Sequence, residues 1–256
     1  MNKNAQVVVV TGGSSGIGLA TAEWFAQKGD HIILGARRKE RFAQIKDQLI
    51  EKGAASVTAL ELDVRNQKSV EGFAEGVIKQ HGGRIDVLIN NAGLVIGTDK
   101  LAEGRIADWE TIIDTNVLGV LRITRALLPQ MIKNNAGHIV MLGSIAGHQV
   151  YEGGGPYCAS KFSIKALTKT LKLELNGTSI RVTTVDPGMV ETEFSLVRFA
   201  QDEKKASAVY KGVTPLTAQD IAECVGFAAS RPAHVNIDEI IVMPTDQATV
   251  YKVNRR

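Results

Sequence analysis

Tyr157 and Lys161 stand four residues apart in Tyr157-Cys158-Ala159-Ser160-Lys161, a spacing that puts a phenol and an ammonium on one face of a helix. A free Tyr titrates near pH ~10, so a fixed cation close by favours phenolate and makes the hydroxyl useful in proton transfer. On an amphipathic helix without other chemistry the same pair would be packing plus a solvated tail. Two polar residues upstream could complete a site. Ser144 follows the apolar run 137–142, and Asn116 is set among Ile112, Ile113, Val117 and Leu121, where an amide costs stability unless it is hydrogen-bonded. Read alone, Ser144 is a cap and Asn116 a core hydrogen bond.

The other chemistry-bearing stretch is Thr11-Gly12-Gly13-Ser14-Ser15-Gly16-Ile17-Gly18. It lies between the β-branched run Val7-Val8-Val9-Val10 and a helical pattern from Ile17 to Lys28. Glycines there permit a tight turn and close backbone approach, so a phosphate can rest on the N–H groups at the helix start. In such dinucleotide-binding units an acidic residue about 20 positions on binds the adenosine ribose, whereas Arg accommodates a 2′-phosphate. Here the junction reads Leu34-Gly35-Ala36-Arg37-Arg38. With no carboxylate and two guanidiniums able to grip a phosphate, NADP is favoured over NAD.

The positioning elements alternate along the chain. Strands are expected at 7–11, 31–36, 56–62, 85–89, 137–142, 179–185 and 237–242, with helices at 17–28, 39–52, 67–80, 109–131, from Pro156 to about 175, and 217–229, the last with Thr217 as cap. Seven strands alternating with helices imply a doubly wound parallel sheet. Ligands of such sheets gather at the carboxyl ends of the strands. Asp63-Val64, Asn90-Asn91-Ala92-Gly93, Gly143-Ser144 and Asp186-Pro187-Gly188 all fall there. Asp63 either faces an adenine or caps a loop. Residues 190–212 are polar and short of an apolar stripe, which suits a lid over a substrate or a plain surface insert.

Composition narrows the class. The 256 residues, 44% hydrophobic and 22% charged, fit one globular α/β domain, and a net charge of +3 gives no strong reason to expect nucleic acid. No apolar run is long enough for a signal core or a membrane span. Cys158 and Cys224 form no C-x-x-C, and the five His show no zinc spacing; the expectation is a reduced, cytosolic protein with no metal site and Cys158 as a small buried hydrophobe.

Taken together, the glycine loop with its G-x-x-x-G-x-G pattern, Asn90-Asn-Ala-Gly93, Asn116, Ser144, Tyr157-x-x-x-Lys161 and Pro187-Gly188 resemble the short-chain dehydrogenase/reductase family from about Val7 to Val242. The resemblance implies a Rossmann-type doubly wound seven-stranded parallel sheet, order 3-2-1-4-5-6-7, flanked by helices. It implies a catalytic set of Asn116, Ser144, Tyr157 and Lys161: Tyr157 as general acid or base, Lys161 lowering its pKa and holding the nicotinamide ribose, Ser144 on the substrate oxygen, and Asn116 positioning a relay water. NADP would lie along Gly12, Ser14, Ser15, Gly16, Ile17, Gly18, Arg37, Arg38, Asp63, Val64, Asn90, Ala92, Gly93, Tyr157, Lys161, Pro187, Gly188, Val190 and Thr192.

Residues 193–199, 232–237 and 243–247 resemble the NADP-dependent 3-hydroxy acid dehydrogenases, including those acting on serine and allo-threonine. That branch makes Arg198 the candidate for a substrate carboxylate, beside Ser144 and Tyr157, with a surface charge on the lid as the other reading. Glu152-Gly-Gly-Gly-Pro156 departs from its pattern. The alternatives are a broad carbonyl or 3-oxoacyl reductase and a nonenzymatic NADPH-binding sensor or scaffold. A homotetramer is also implied, with long helices packing across subunits and the tail 243–256 available to a neighbour's site.

Overall fold

The computed structural model describes residues 5–256. Seven parallel strands form one sheet in the order β3-β2-β1-β4-β5-β6-β7. They are β1 (Val7–Thr11), β2 (His31–Ala36), β3 (Ser56–Glu61), β4 (Val87–Asn90), β5 (Gly137–Leu142), β6 (Ile180–Pro187) and β7 (Glu239–Val242). Central strands are buried on both faces, as continuous runs such as Val7-Val8-Val9-Val10 require. Register along β1 sets Val10 beside Leu34 of β2 and Ile89 of β4. Chain order therefore reverses between β1 and β4, the crevice where doubly wound sheets bind ligands.

Two cores form because side chains alternate across the sheet. One gathers Val7, Val9 and Leu88 with Phe73, Ile123, Leu127 and Met131, from helices α3 (Gln67–Lys79) and α5 (Gly119–Asn134). The other gathers Val8, Val10 and Ile89 with Phe25, Leu49 and Val225, from α1 (Gly16–Ala26), α2 (Phe42–Glu51) and α9 (Ala218–Ala229). Thr217 caps α9 reciprocally with Asp220.

The helix expected over 109–131 is broken. α4 (Ile106–Ile113) runs through a π-helical turn at Asp114–Leu118 into α5. Asn116 sits on that turn, and such turns recur where a regular ladder must be interrupted for a site. α6 (Gly155–Glu174) carries Tyr157 and Lys161, with Pro156 in its first turn, where a missing N–H costs nothing. The Pro-ended glycine run is thereby accounted for as a helix start. Segment 190–212 holds two short helices, α7 (Glu193–Arg198) and α8 (Glu203–Ala208).

Candidate active site

A cleft of about 470 Å³ opens at the carboxyl ends of the strands. Gly12, Ser14, Ser15, Gly16, Ile17, Arg37, Arg38, Asp63, Val64, Ala92, Gly93, Ser144, Tyr157, Lys161, Pro187, Gly188, Val190 and Thr192 all line it. Four expected residues do not. A Cβ on Gly18 would lie 2.4 Å from Asn91 Nδ2 and 2.5 Å from the Gly12 carbonyl, so Gly18 lets α1 close onto the loop. Asn90 turns the other way: its amide donates to Thr124 Oγ1 at 3.2 Å and contacts the Met141 sulfur in the core. Its neighbour Asn91 lines the cleft and clips the glycine loop by donating to the carbonyls of Thr11 (2.9 Å) and Gly12 (3.2 Å).

The side chain of Asn116 is committed elsewhere. Its Oδ1 accepts from the Leu94 N–H at 2.8 Å, while Nδ2 donates to the Leu94 carbonyl (2.8 Å) and Ser160 Oγ (3.0 Å). The amide therefore fixes the loop after β4, and a water-positioning role would fall to its main chain. Arg198, the fourth, is not among the lining residues.

Tyr157, Ser144 and Lys161 converge from α6 and the end of β5. Ser144 Oγ accepts from the Ala146 N–H at 3.1 Å, so the serine is both cap and cleft group. Lys161 is buried and donates to the Leu142 carbonyl at 2.8 Å, 5.8 Å from the Tyr157 ring centre. Burial lowers its pKa to about 8, with the Asp186 charge working upward against it. Burial also raises the Tyr157 phenol well above its ordinary value, while a hydrogen bond with Ser144 and the Arg198 charge pull it down. The expected lowering by Lys161 is therefore not the balance here: the ammonium is turned to a carbonyl and desolvation wins.

At the other end, Arg38 donates to Ser15 Oγ at 2.6 Å and Ser14 Oγ at 3.3 Å. Arg38 and Arg41 both pair with Glu193 of α7, at 2.9 and 3.0 Å. Burial opposes the Glu193 charge, but these hydrogen bonds outweigh it and hold the carboxyl below its ordinary value. Arg37 is exposed at the rim. Asp63 is held by Arg65, whose guanidinium donates at 3.0 and 3.2 Å and keeps the carboxyl below its usual range. Arg41, Arg65, Glu193 and Thr115 were not singled out from the sequence. Thr115 was legible only as a neighbour of Asn116, yet the residue lines the cleft, and its buried hydroxyl finds no partner among the described residues.

These features fit a phosphorylated dinucleotide. A glycine loop opens a helix, and hydroxyls and guanidiniums meet at the end of β2.

Segment 190–212 supplies Arg198. Arg198 donates through Nε to the Gly97 carbonyl at 3.2 Å and lies over the Tyr151 ring at 5.6 Å. Its charge acts on Tyr157, Tyr151 and Cys158 together, which puts the guanidinium near the phenol. The tail folds on its own chain: Gln247 Oε1 accepts from the Met189 N–H at 2.8 Å, and the Arg256 N–H donates to the Gly212 carbonyl at 2.9 Å.

A phenol, a hydroxyl and a lysine beside a glycine-loop nucleotide cleft define an α/β dinucleotide-dependent enzyme class. The family model described as short chain dehydrogenase matches residues 6–203, and the chain belongs to that family. It is 44% identical to an NADP-dependent 3-hydroxy acid dehydrogenase of Schizosaccharomyces pombe over 99% of this chain and 98% of that one. It is 41% identical to sulfoacetaldehyde reductase 2 of Chromohalobacter salexigens, covering 98% and 99%. Among solved structures, the closed form of a serine dehydrogenase complexed with NADP+ superposes with a TM-score of 0.91 at 39% identity, covering 98% and 100%.

Proposed function

We propose that this chain is an NADP-dependent oxidoreductase acting between a hydroxyl and a carbonyl on a small compound that carries an anion, with 3-hydroxy acids as the leading class. The bound nicotinamide supplies the hydride acceptor or donor; the protein supplies geometry, proton transfer and charge. Tyr157 exchanges the proton with the substrate oxygen, and Ser144 donates to that oxygen as its charge develops. Lys161 holds the nicotinamide ribose and links Tyr157 to a relay through the main chain at Asn116. The 2′-phosphate is held by Arg37, Arg38 and Ser14, with Gly12, Ser15, Gly16 and Ile17 around the pyrophosphate. Asp63 and Val64 meet the adenine, Ala92 and Gly93 the ribose, and Pro187, Gly188, Val190 and Thr192 the carboxamide side.

The observation that carries the substrate class is the Arg198 guanidinium, bonded to the Gly97 carbonyl and close enough for its charge to act on the Tyr157 phenol. The named relatives support it. A 3-hydroxy acid and sulfoacetaldehyde both place an anionic group one carbon beyond the reacting carbon, and each needs a cation at that distance. A sulfonate-bearing aldehyde is the second reading. Initial rates on 3-hydroxy acids and their methyl esters test the class: equal rates would return the chain to a broad carbonyl or 3-oxoacyl reductase, and no turnover of any alcohol despite tight NADPH binding would make it a sensor or scaffold.

Residues 5–256 sharing one sheet with a core on each face support a single domain, with 190–212 as its lid and 243–256 as its tail. Exposed Leu118 and Leu121 near the start of α5, and Phe162 and Leu173 on α6, are apolar surface suited to a homotetramer. No described helix is long and apolar enough to cross a membrane, in keeping with a cytoplasmic enzyme.

A further inference from the structure

Behind the catalytic lysine lies a second polar cluster that the proposed reaction does not use. His148, Asp186 and Glu239 bring a ring nitrogen and two carboxylates within 4.8 Å of one another. The cation among them is already part of the chain, because the Lys165 ammonium lies 2.8 Å from His148 Nδ1 and 3.4 Å from Glu239. An ammonium can only donate, so Nδ1 accepts and the ring proton resides on Nε2, which donates to Asp186 Oδ2 at 2.8 Å. Thr184 donates to the other carboxylate oxygen at 2.7 Å.

Two glycines press this cluster onto Lys161. A Cβ on Gly143 would lie 1.7 Å from Asp186 Oδ1, so the carboxylate rests directly on that backbone. The preceding carbonyl, that of Leu142, is the one that receives the Lys161 ammonium. A Cβ on Gly147 would lie 2.7 Å from the Lys161 carbonyl, which brings that turn of α6 against the loop carrying His148. Asp186 is only 2% exposed, and a carboxylate so deep requires a positive partner.

We propose that Asp186, held in orientation by His148 and Lys165, is a positioning residue for Lys161: its carboxylate is the counter-charge that keeps the catalytic ammonium charged and seated on the Leu142 carbonyl. The proposal rests on Lys161 acting as described under the proposed function, but its primary readout does not. The groups facing Lys161 are Asp186 from β6, with His148 from the turn after β5 and Glu239 from β7 behind it; Tyr157 and Lys165 lie on its own helix. Burial works against the lysine's charge, and the Asp186 carboxylate is the one charge set against that.

The test is a titration of the cofactor-free protein labelled with 13C at the lysine ε-carbon, the Lys161 signal being assigned by its loss in Lys161→Met. In the wild type the midpoint should lie at about 8. Asp186→Asn should lower it by roughly one unit or more, and the alkaline limb of kcat/KM should move to lower pH by the same amount. His148→Leu should shift it in the same direction by less, while His148→Gln, which retains a donor, should stay near the wild type. A folded Asp186→Asn whose Lys161 midpoint is unmoved overturns the proposal. Should that variant not fold, an unmoved midpoint in His148→Leu does so. Lost thermal stability without a moved midpoint would make the cluster purely structural and equally contradict it. Inactivity toward every alcohol would remove the proposed function while leaving the NMR result to stand or fall by itself.

Discussion

Arg38 Nη1 lies 2.9 Å from the Glu193 carboxylate, tying the end of the second strand to the first residue of the lid helix. Both side chains are more than a third exposed, so the pair is worth about 1 kcal/mol or less and yields readily to a phosphate dianion. Cofactor preference should accordingly rest on the arginines. Arg37→Ala combined with Arg38→Ala is expected to weaken NADPH binding by roughly 10²-fold and leave NADH nearly unchanged. Fluorescence titration with both nucleotides checks this, and an unchanged preference would move the 2′-phosphate elsewhere.

Arg198 predicts a selective loss. Arg198→Ala should lower kcat/KM on 3-hydroxy acids by roughly 10 to 100-fold, the worth of one charged hydrogen bond, with methyl esters little affected. A parallel loss on both would assign Arg198 to lid structure through its bond to Gly97.

Acid stability has an identifiable contributor in His138 on β5. Burial, with Arg181 nearby, lowers its pKa from 6.5 to about 3. The unfolded chain therefore gains a proton below about 6.5 that the folded chain refuses until about 3, and stability falls as pH drops across that window. Each unit is worth at most ~1.4 kcal/mol. His138→Phe should flatten the decline in urea midpoint between pH 7 and 4.5; an unchanged slope would place the acid sensitivity in other groups.

Much of the scaffold and the site's core was legible because its signals are local. A β-branched run into glycines, a helix-spaced Tyr and Lys, and Pro-Gly after a strand each state their chemistry within a few residues. The parity of a strand end was not: Asn90 and Asn91 are alike in sequence, but successive side chains face opposite sides, which sends Asn90 into the core. Nor could an apolar pattern reveal the π-helical turn at Asp114–Leu118, since periodicity continues through it. Pairs such as Arg38 with Glu193, separated by 155 positions, and His148 with Asp186 are made only by the topology.

The central claim is that the Tyr157 phenol moves the proton while the glycine cleft independently holds the nucleotide. Tyr157→Phe removes one oxygen from a buried ring and leaves the phosphate end of the cleft untouched. Measured on the purified variant with NADP and a 3-hydroxy acid, turnover should fall by roughly 10²–10⁴-fold or to background, with NADPH binding within a few-fold of the wild type. A Tyr157→Phe enzyme that turns over at close to the wild-type rate would contradict the account.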